Sequence, residues 1–397
     1  MTKAHNNAIE EASHSIQPSQ GGVTQSKRSS VGKPRIGRPA QAKAGIGPDK
    51  NGLRSERSTE VSPSALDERA LLQSDKPSEQ ESLSTDMLDA YEHYRSNQLA
   101  SRTSRVALAL SQLMRIKIPY PLHIAAMAEI EELRLLGQET RGQQQLCLNI
   151  FSATGTGKST VAKQYKLIHT RDDPEDVKTV IHARLGTTGT ARDLYVSILA
   201  ELGDGFAGSG TAHTLRRRAI RAIEDYGVTL VMLDETQHSA NRTGFSREIT
   251  SELKTLLDTG IVPFVLLGTE AAIRTVGEDR ELSGRMMSPC RLDPLNVNDD
   301  EDFELWRGFL EALDRRMVQD KIVHQPAGLG ETNLAFSLGE ACNGVIGQVM
   351  RVMTMALRNT IREGRDQVTI EDLAIAINEW SLEHGFAKRN PLLDISS

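Results

Sequence analysis

A nine-residue segment, Ser152–Thr160, contains the residue types that bind phosphate. In the pattern G-x-x-x-x-G-K-[ST], glycines let backbone N–H groups turn inward around a polyphosphate, the lysine reaches the outer phosphates, and the hydroxyl holds Mg²⁺. Lys158 and Ser159 supply the cation and the hydroxyl, whereas Ser152 stands where the pattern begins with glycine. We therefore predict a nucleotide-binding loop formed by Ser152, Ala153, Thr154, Gly155, Thr156, Gly157, Lys158, Ser159 and Thr160.

Two adjacent carboxylates follow a later apolar run, Val228–Leu233, which is typical of a strand buried on both faces of a parallel sheet. At the end of that strand Asp234 would lie beside the phosphate loop and hold Mg²⁺, and Glu235 would polarise the attacking water as general base. The alternative is that both residues only cap the next segment. His238, three residues on, is a candidate neighbour of the base.

A hydroxyl residue, Thr269, ends the next apolar run. Carboxyl ends of parallel strands share one edge of the sheet, so this hydroxyl could sense the γ-phosphate or orient water. A role as N-cap of the following helix is equally compatible with its position. The phosphate loop together with the paired carboxylates predicts a nucleoside triphosphatase.

The elements around these motifs alternate between short apolar strands and amphipathic helices, which predicts a three-layer α/β domain with a parallel sheet. Helices at 86–115 and 122–136, separated by Pro119-Tyr120-Pro121, precede it, and a short edge strand is expected near Cys290–Leu292. Past Asp299 only helical patterns continue, which predicts a small all-α lid. The expected domains are a basic disordered tail (1–82), a helical lead-in (83–144), the α/β core (145–298), the lid (299–388) and a flexible C-terminal tail (389–397).

The composition is ordinary for a soluble protein of 397 residues, with 38% hydrophobic residues and a net charge of −6. Three widely spaced cysteines disfavour a disulfide framework or a zinc site, and neither a signal peptide nor a membrane-spanning run is present in the sequence. We expect a cytoplasmic protein. Residues 21–57 contain nine lysines and arginines against two acidic residues, and Lys33–Pro39 resembles an AT-hook core, although a solvated basic linker is the plainer interpretation.

The order of these parts resembles an AAA+ ATPase, and within that superfamily the TniB/TnsC type of transposition ATPase. The resemblance covers about residues 105 to 385, and is carried by these segments: Ile118–Pro121, Phe151–Thr160, Leu233–His238, Leu267–Ala272, Asp279–Met286 and Asn343–Val349. It implies binding of ATP and Mg²⁺, assembly as a ring or helical filament on double-stranded DNA, and partners that include a transposase and a target-selection protein in a bacterial, DNA-associated setting.

The resemblance also implies an arginine that reaches the γ-phosphate held by a neighbouring subunit. Arg285, before Met286, matches the family position more closely than Arg280, and either could instead be a surface ion-pairing arginine. A lid arginine in a Gly-x-x-Arg spacing is missing after Gly344, since residue 347 is glycine, which leaves Arg351 as the candidate.

DNA contacts within the folded part are expected from basic residues, although a solvated basic helix face is the competing interpretation. The candidates are Arg184, Thr188, Arg216, Arg217, Arg221 and Arg242. Two other functions stay open at this stage: an AAA+ signalling ATPase whose basic tail binds acidic proteins, and a replication-initiator-like DNA loader.

Overall fold

The computed structural model describes residues 99–186, 188–236 and 247–394, together with residues 87, 89, 91 and 92. Within them a four-stranded parallel sheet has the order β1-β4-β3-β2. The strands are β1 (Cys147–Phe151), β2 (Val180–Arg184), β3 (Leu230–Asp234) and β4 (Phe264–Gly268). The two central strands, β3 and β4, are buried along their whole length, which explains their continuous apolar sequences.

Helices cover both faces of the sheet. The α2 helix (Pro121–Glu139) and the α3 helix (Lys158–His169) share one apolar cluster with Leu148 and Ile150 of β1. The opposite cluster contains Cys147 and Phe151 of β1, and is covered by α4 (Ala191–Glu201), α5 (Ala212–Asp225) and α6 (Arg247–Asp258). Two short helices, α7 (Ala271–Glu278) and α8 (Arg280–Ser283), follow β4. The predicted three-layer α/β fold is therefore confirmed.

A second apolar core, around the fully buried Trp306, belongs to the helical C-terminal part. Its helices are α9 (Asp300–Gln319), α10 (Thr332–Cys342), α11 (Ile346–Arg362) and α12 (Ile370–Ala376), followed by a π-helical turn at Ile377–Leu382 and a 3₁₀ turn at Pro391–Asp394. The first described long helix, α1 (Leu99–Arg115), packs Ala109 and Leu113 into this same core. The lid thus includes an element from before the sheet.

The edge strand predicted near Cys290–Leu292 is wrong. The segment from Arg285 to Cys290 runs beside β1, but forms only one parallel bridge, between Met286 and Cys147. A continued parallel ladder would need the N–H of residue 289 to donate to the Asn149 carbonyl, and Pro289 has no N–H. Cys290 makes that bond instead, at 3.1 Å, and this one-residue slip ends the pairing.

The basic tail predicted for residues 1–82, with its AT-hook-like segment, lies outside the described residues, as do His238 and Arg242. Among the helices that the structure describes, none combines the length and apolar character needed to cross a bilayer.

Candidate nucleotide-binding site

The phosphate loop joins the carboxyl end of β1 to the amino end of α3, as predicted. Gly155 and Gly157 have positive φ angles of 91° and 99°, a conformation that L side chains rarely adopt. Gly157 is the N-cap of α3, so the loop ends where the positive end of the helix dipole begins. This geometry suits an anion.

Lys158 is folded back into the loop. Its Nζ donates to the carbonyl oxygens of Ser152 at 2.8 Å and Ala153 at 2.6 Å. Burial lowers the pKa of Lys158, and the opposing pull of nearby carboxylates, above all Asp234, limits that effect. The ammonium group is therefore bound by two backbone carbonyl oxygens, which phosphate oxygens can replace as its acceptors.

Ser152, at the position where the pattern has glycine, has a structural role. Its hydroxyl lies 2.6 Å from the hydroxyl of Thr156, which itself donates to the Ala153 carbonyl at 3.1 Å. Since the Thr156 hydrogen is used in that bond, Ser152 is the donor to Thr156. Among the residues described, positive φ angles of non-glycine residues occur at Glu235, Lys321 and Asn343 and not at Ser152, so this position does not require glycine.

Asp234 ends β3 beside this loop and is almost fully buried. Its Oδ2 lies 3.2 Å from His182 Nε2 of the neighbouring strand β2. Burial opposes ionisation of the carboxyl, but hydrogen bonds from His182 and Ser159 outweigh it and hold the pKa of Asp234 below its usual value. The Asp234 carboxyl and the phosphate-loop hydroxyl of Ser159 thus lie close to each other.

Glu235 follows with a φ of 62°, and its N–H donates to Asp234 Oδ1 at 2.8 Å. A non-glycine residue in this region of φ is strained, and such strain is concentrated at functional sites. The next hydroxyl, of Thr236, is buried and donates to the Leu267 carbonyl at 2.9 Å, which ties the end of β3 to the end of β4. Thr269 follows β4 at the same edge and directly precedes Glu270, which has helical backbone angles and makes no side-chain cap hydrogen bond, so both interpretations of Thr269 stay predictions.

A cavity of about 200 Å³ lies between the phosphate loop, the segment from Met114 to Tyr120, and the lid. On the lid side its walls are Phe309 of α9 and Ile346, Gly347 and Met350 of α11. Gly347 N–H donates to the Gly155 carbonyl at 2.9 Å, so the lid contacts the phosphate loop through its main chain. Arg351 is exposed and does not line the cavity.

The two candidate arginine fingers lie in different surroundings. Arg285 forms a two-point ion pair with Asp258, at 3.0 and 3.1 Å. Its backbone carbonyl accepts from Cys147 N–H at the amino end of β1, about 16 Å from the phosphate loop at ~3.3 Å per strand residue. Arg280 is exposed and has no ion pair or hydrogen bond from its side chain within the described ranges.

The candidate DNA contacts also separate into groups. Arg217 and Arg221 are exposed on one face of α5 and line a groove of about 190 Å³ with His213 and Arg218. Arg216 faces away and lies 3.7 Å from Glu252. Arg184, at the end of β2, is exposed beside Asp234 in the sheet register. The Thr188 hydroxyl donates a hydrogen bond to the carboxylate of Asp193 in the first turn of α4.

Two histidines of the site were not found by sequence reasoning. His182 interrupts an apolar strand, and that polar interruption is the signal which could have identified it. His123 follows Pro119-Tyr120-Pro121, and its Nε2 lies 3.1 Å from the carbonyl oxygen of Thr156 in the phosphate loop. A single histidine on an amphipathic helix has no comparable signal.

Comparison with known proteins agrees with this geometry. The family model described as "Bacterial TniB protein" matches residues 115–294, a range that includes the phosphate loop and Asp234. No curated protein matches the chain. Two solved structures share the fold: the Aeropyrum pernix ORC2 protein in its ADPNP-ADP complexes (15% identity, TM-score 0.51, 67% of this chain and 69% of that chain) and the Aeropyrum pernix ORC1 protein in complex with DNA (16%, 0.51, 68% and 69%). Residues 115–294 of this chain thus match the TniB family model, and the fold is the one seen in these two ORC structures.

Proposed function

We propose that this chain is an ATP-dependent regulator of DNA transposition. In the ATP state it assembles on double-stranded DNA as a ring or filament and recruits a transposase, with a target-selection protein as a further partner; hydrolysis then releases the assembly. The observation that carries this proposal is the phosphate loop with its buried Lys158 beside Asp234, in a chain whose residues 115–294 match the TniB family model. The transposase, and not this chain, would cut and join DNA.

The residues of the site fit hydrolysis of the terminal phosphate. Inward N–H groups of the phosphate loop and Lys158 would hold the β- and γ-phosphates. Glu235 would take a proton from the attacking water as its oxygen bonds to the γ-phosphorus, and the bond from that phosphorus to the β,γ-bridging oxygen would break, leaving ADP and phosphate. Thr269 would orient the water or sense the γ-phosphate.

The same residues fit a magnesium ion. Mg²⁺ prefers oxygen ligands and commonly takes one or two carboxylates together with phosphates of the substrate. The Ser159 hydroxyl and the Asp234 carboxylate, whose lowered pKa keeps it ionised, form such a set of donors. When bound, Mg²⁺ would neutralise part of the phosphate charge.

Completion of the site by a neighbouring subunit is part of the proposal. The wall formed by the lid offers Phe309, Ile346, Gly347 and Met350, none of which has a charge to place on a γ-phosphate. An arginine from the Arg280–Arg285 segment of the next subunit would supply it. Arg285 is closer to the family position, whereas Arg280 needs no rearrangement of an ion pair.

DNA binding is assigned in this proposal mainly to the groove on α5. Arg217 and Arg221 lie one helical turn apart and have no ion pair within the part of the chain described here, so their charges are available to phosphates. Arg184 is a further candidate. Arg216 and Thr188 are weaker candidates, because each already has a carboxylate partner.

Electron microscopy of purified protein with duplex DNA tests the proposal. We expect rings or filaments with ATP or a non-hydrolysable analogue, and their loss with ADP. A variant with Arg217→Ala and Arg221→Ala should bind DNA more weakly and with a shallower salt dependence, while Arg315→Ala, at an exposed i,i+4 ion pair of α9, is the control. Absence of nucleotide-dependent assembly on DNA would instead favour a signalling ATPase.

A further inference from the structure

Two consecutive carbonyl groups of the phosphate loop are held by groups from outside it. The Gly155 carbonyl accepts from the N–H of Gly347 in the lid, at 2.9 Å. The Thr156 carbonyl lies 3.1 Å from Nε2 of His123 on α2. The two external groups come from different parts of the fold, one from the lid and one from the helix ahead of the sheet.

The direction of these carbonyls fixes the direction of the next N–H groups. In a planar trans peptide the C=O and the following N–H point in opposite directions. A Gly155 carbonyl held toward the lid therefore turns Thr156 N–H away from the lid, and a Thr156 carbonyl held toward His123 turns Gly157 N–H away from α2. In a phosphate loop the N–H groups face the bound polyphosphate, so the carbonyls of the Gly155 and Thr156 peptides must face away from it.

His123 is suited to hold one carbonyl. It is 6% exposed, and its ring meets Tyr120 edge-on at a centroid distance of 5.0 Å. Burial lowers the pKa of His123, so the ring is neutral near pH 7, and a carbonyl partner places its one hydrogen on Nε2. The contact is close: a Cβ added to Gly157 would lie 2.2 Å from that nitrogen.

Gly347 is suited to hold the second carbonyl, that of Gly155. A Cβ at this position would lie 2.5 Å from the Gly155 carbonyl oxygen, which is closer than a Cβ atom can approach a backbone oxygen. Only glycine therefore allows this hydrogen bond. Residue 347 is also the position where the Gly-x-x-Arg spacing would place an arginine. A main-chain contact to the loop stands here in place of a charged side chain.

We propose that His123 and Gly347 are positioning residues which orient the Thr156 and Gly157 N–H groups toward the polyphosphate, and that Gly347 thereby couples docking of the lid to phosphate binding. This inference rests on the proposed binding of ATP. It assigns part of the phosphate affinity to two residues that need not touch a phosphate.

The test compares ATP with AMP, because AMP lacks the phosphates that the loop would hold, and uses titration of the full-length protein with fluorescent analogues of each. His123→Phe keeps an aromatic ring but removes the hydrogen-bond donor. It should weaken the binding of ATP about ten- to hundred-fold while changing the binding of AMP little. His123→Gln, which keeps an N–H donor, should restore most of the ATP affinity. His169→Phe is the control, since His169 also packs on a tyrosine, Tyr165, at a centroid distance of 4.2 Å, and lies at the end of α3 away from the phosphate loop.

Gly347→Ala should also weaken the binding of ATP more than that of AMP. Gly308→Ala should not, because Gly308 is an exposed lid glycine with open space around it. Equal losses for ATP and AMP, or a His123→Gln variant as weak as His123→Phe, would overturn the inference. Should His123→Phe fail to fold, the Gln and Gly347→Ala variants still decide. A wild-type protein that binds ATP no better than AMP would instead contradict the proposed function itself.

Discussion

The nucleotide-binding site has two sides of different composition, which we call the sheet wall, at the carboxyl edge of the sheet, and the lid wall, on the lid side of the cavity. The sheet wall presents ionisable side chains with fixed partners: Lys158 on two carbonyls, and Asp234 between His182 and Ser159. The lid wall presents the apolar side chains of Phe309, Ile346 and Met350 and the main chain of Gly347, whereas Lys117, a cation that lines the same cavity, lies between α1 and α2. The contrast indicates that recognition of charge belongs to the sheet wall, and that the lid contributes shape and main-chain hydrogen bonds.

Glu235→Gln is the change with the largest expected effect on the sheet wall. Loss of the general base should lower ATP turnover by about 10²- to 10⁴-fold while ATP stays bound, because an amide cannot accept the proton of the attacking water. Single-turnover assays with radiolabelled ATP measure this directly. Unchanged turnover would remove Glu235 from the chemistry and place the base elsewhere.

Lys158→Ala removes the one cation that the sheet wall holds inside the phosphate loop. We expect ATP affinity to fall about a hundred-fold, since charge-assisted bonds to the outer phosphates are lost. Calorimetric titration with ATP gives the value, and Lys166→Ala, on the same helix but paired with Glu201, is the matched control. Similar losses in both variants would mean that the helix, and not the loop cation, was disturbed.

Substitutions of Ser152 test how the phosphate loop contributes to the stability of the protein, separately from its affinity for ATP. Ser152→Ala should lower the free energy of unfolding by about 1 kcal/mol, because a buried hydrogen bond is lost. Ser152→Gly should lower it by about 0.5–1 kcal/mol more, owing to backbone entropy, although glycine restores the common pattern. Chemical denaturation measures both. A more stable glycine variant would contradict the role given to this hydroxyl.

Arg351→Ala should have the smallest effect. The side chain is exposed and outside the cavity, so ATP affinity and turnover should both match wild type. Steady-state kinetics are sufficient for the comparison. A marked loss would mean that the lid does deliver a cation to the nucleotide, and the contrast between the two walls would fail.

Local sequence signals predicted the sheet wall well. The phosphate loop is contiguous, and the position of Asp234 follows from the rule that parallel strands end at one edge. The contacts that complete the site were not predictable in this way, because they join distant residues through packing. His123 and Thr156 are 33 residues apart, and His182 and Asp234 are 52 apart.

The fold shows the same division. Apolar runs predicted the two central strands, β3 and β4, within a few residues, since burial on both faces leaves a plain signal. The edge strand near Cys290 was wrong because one missing N–H, at Pro289, decided the pairing. Packing of α1 into the lid core is likewise decided by tertiary contacts that its helical periodicity does not encode.

The central claim is that the charge missing from the lid wall comes from a neighbouring subunit. A mixing experiment tests it, with Lys158→Ala, which keeps both arginines, and a double variant with Arg280→Ala and Arg285→Ala, which keeps the phosphate loop. Each should be nearly inactive alone on duplex DNA, and an equal mixture should regain ATP turnover, because mixed interfaces pair an intact loop with an intact arginine. Full activity of the double variant alone, or no recovery in mixtures shown by co-purification to assemble, would contradict the account.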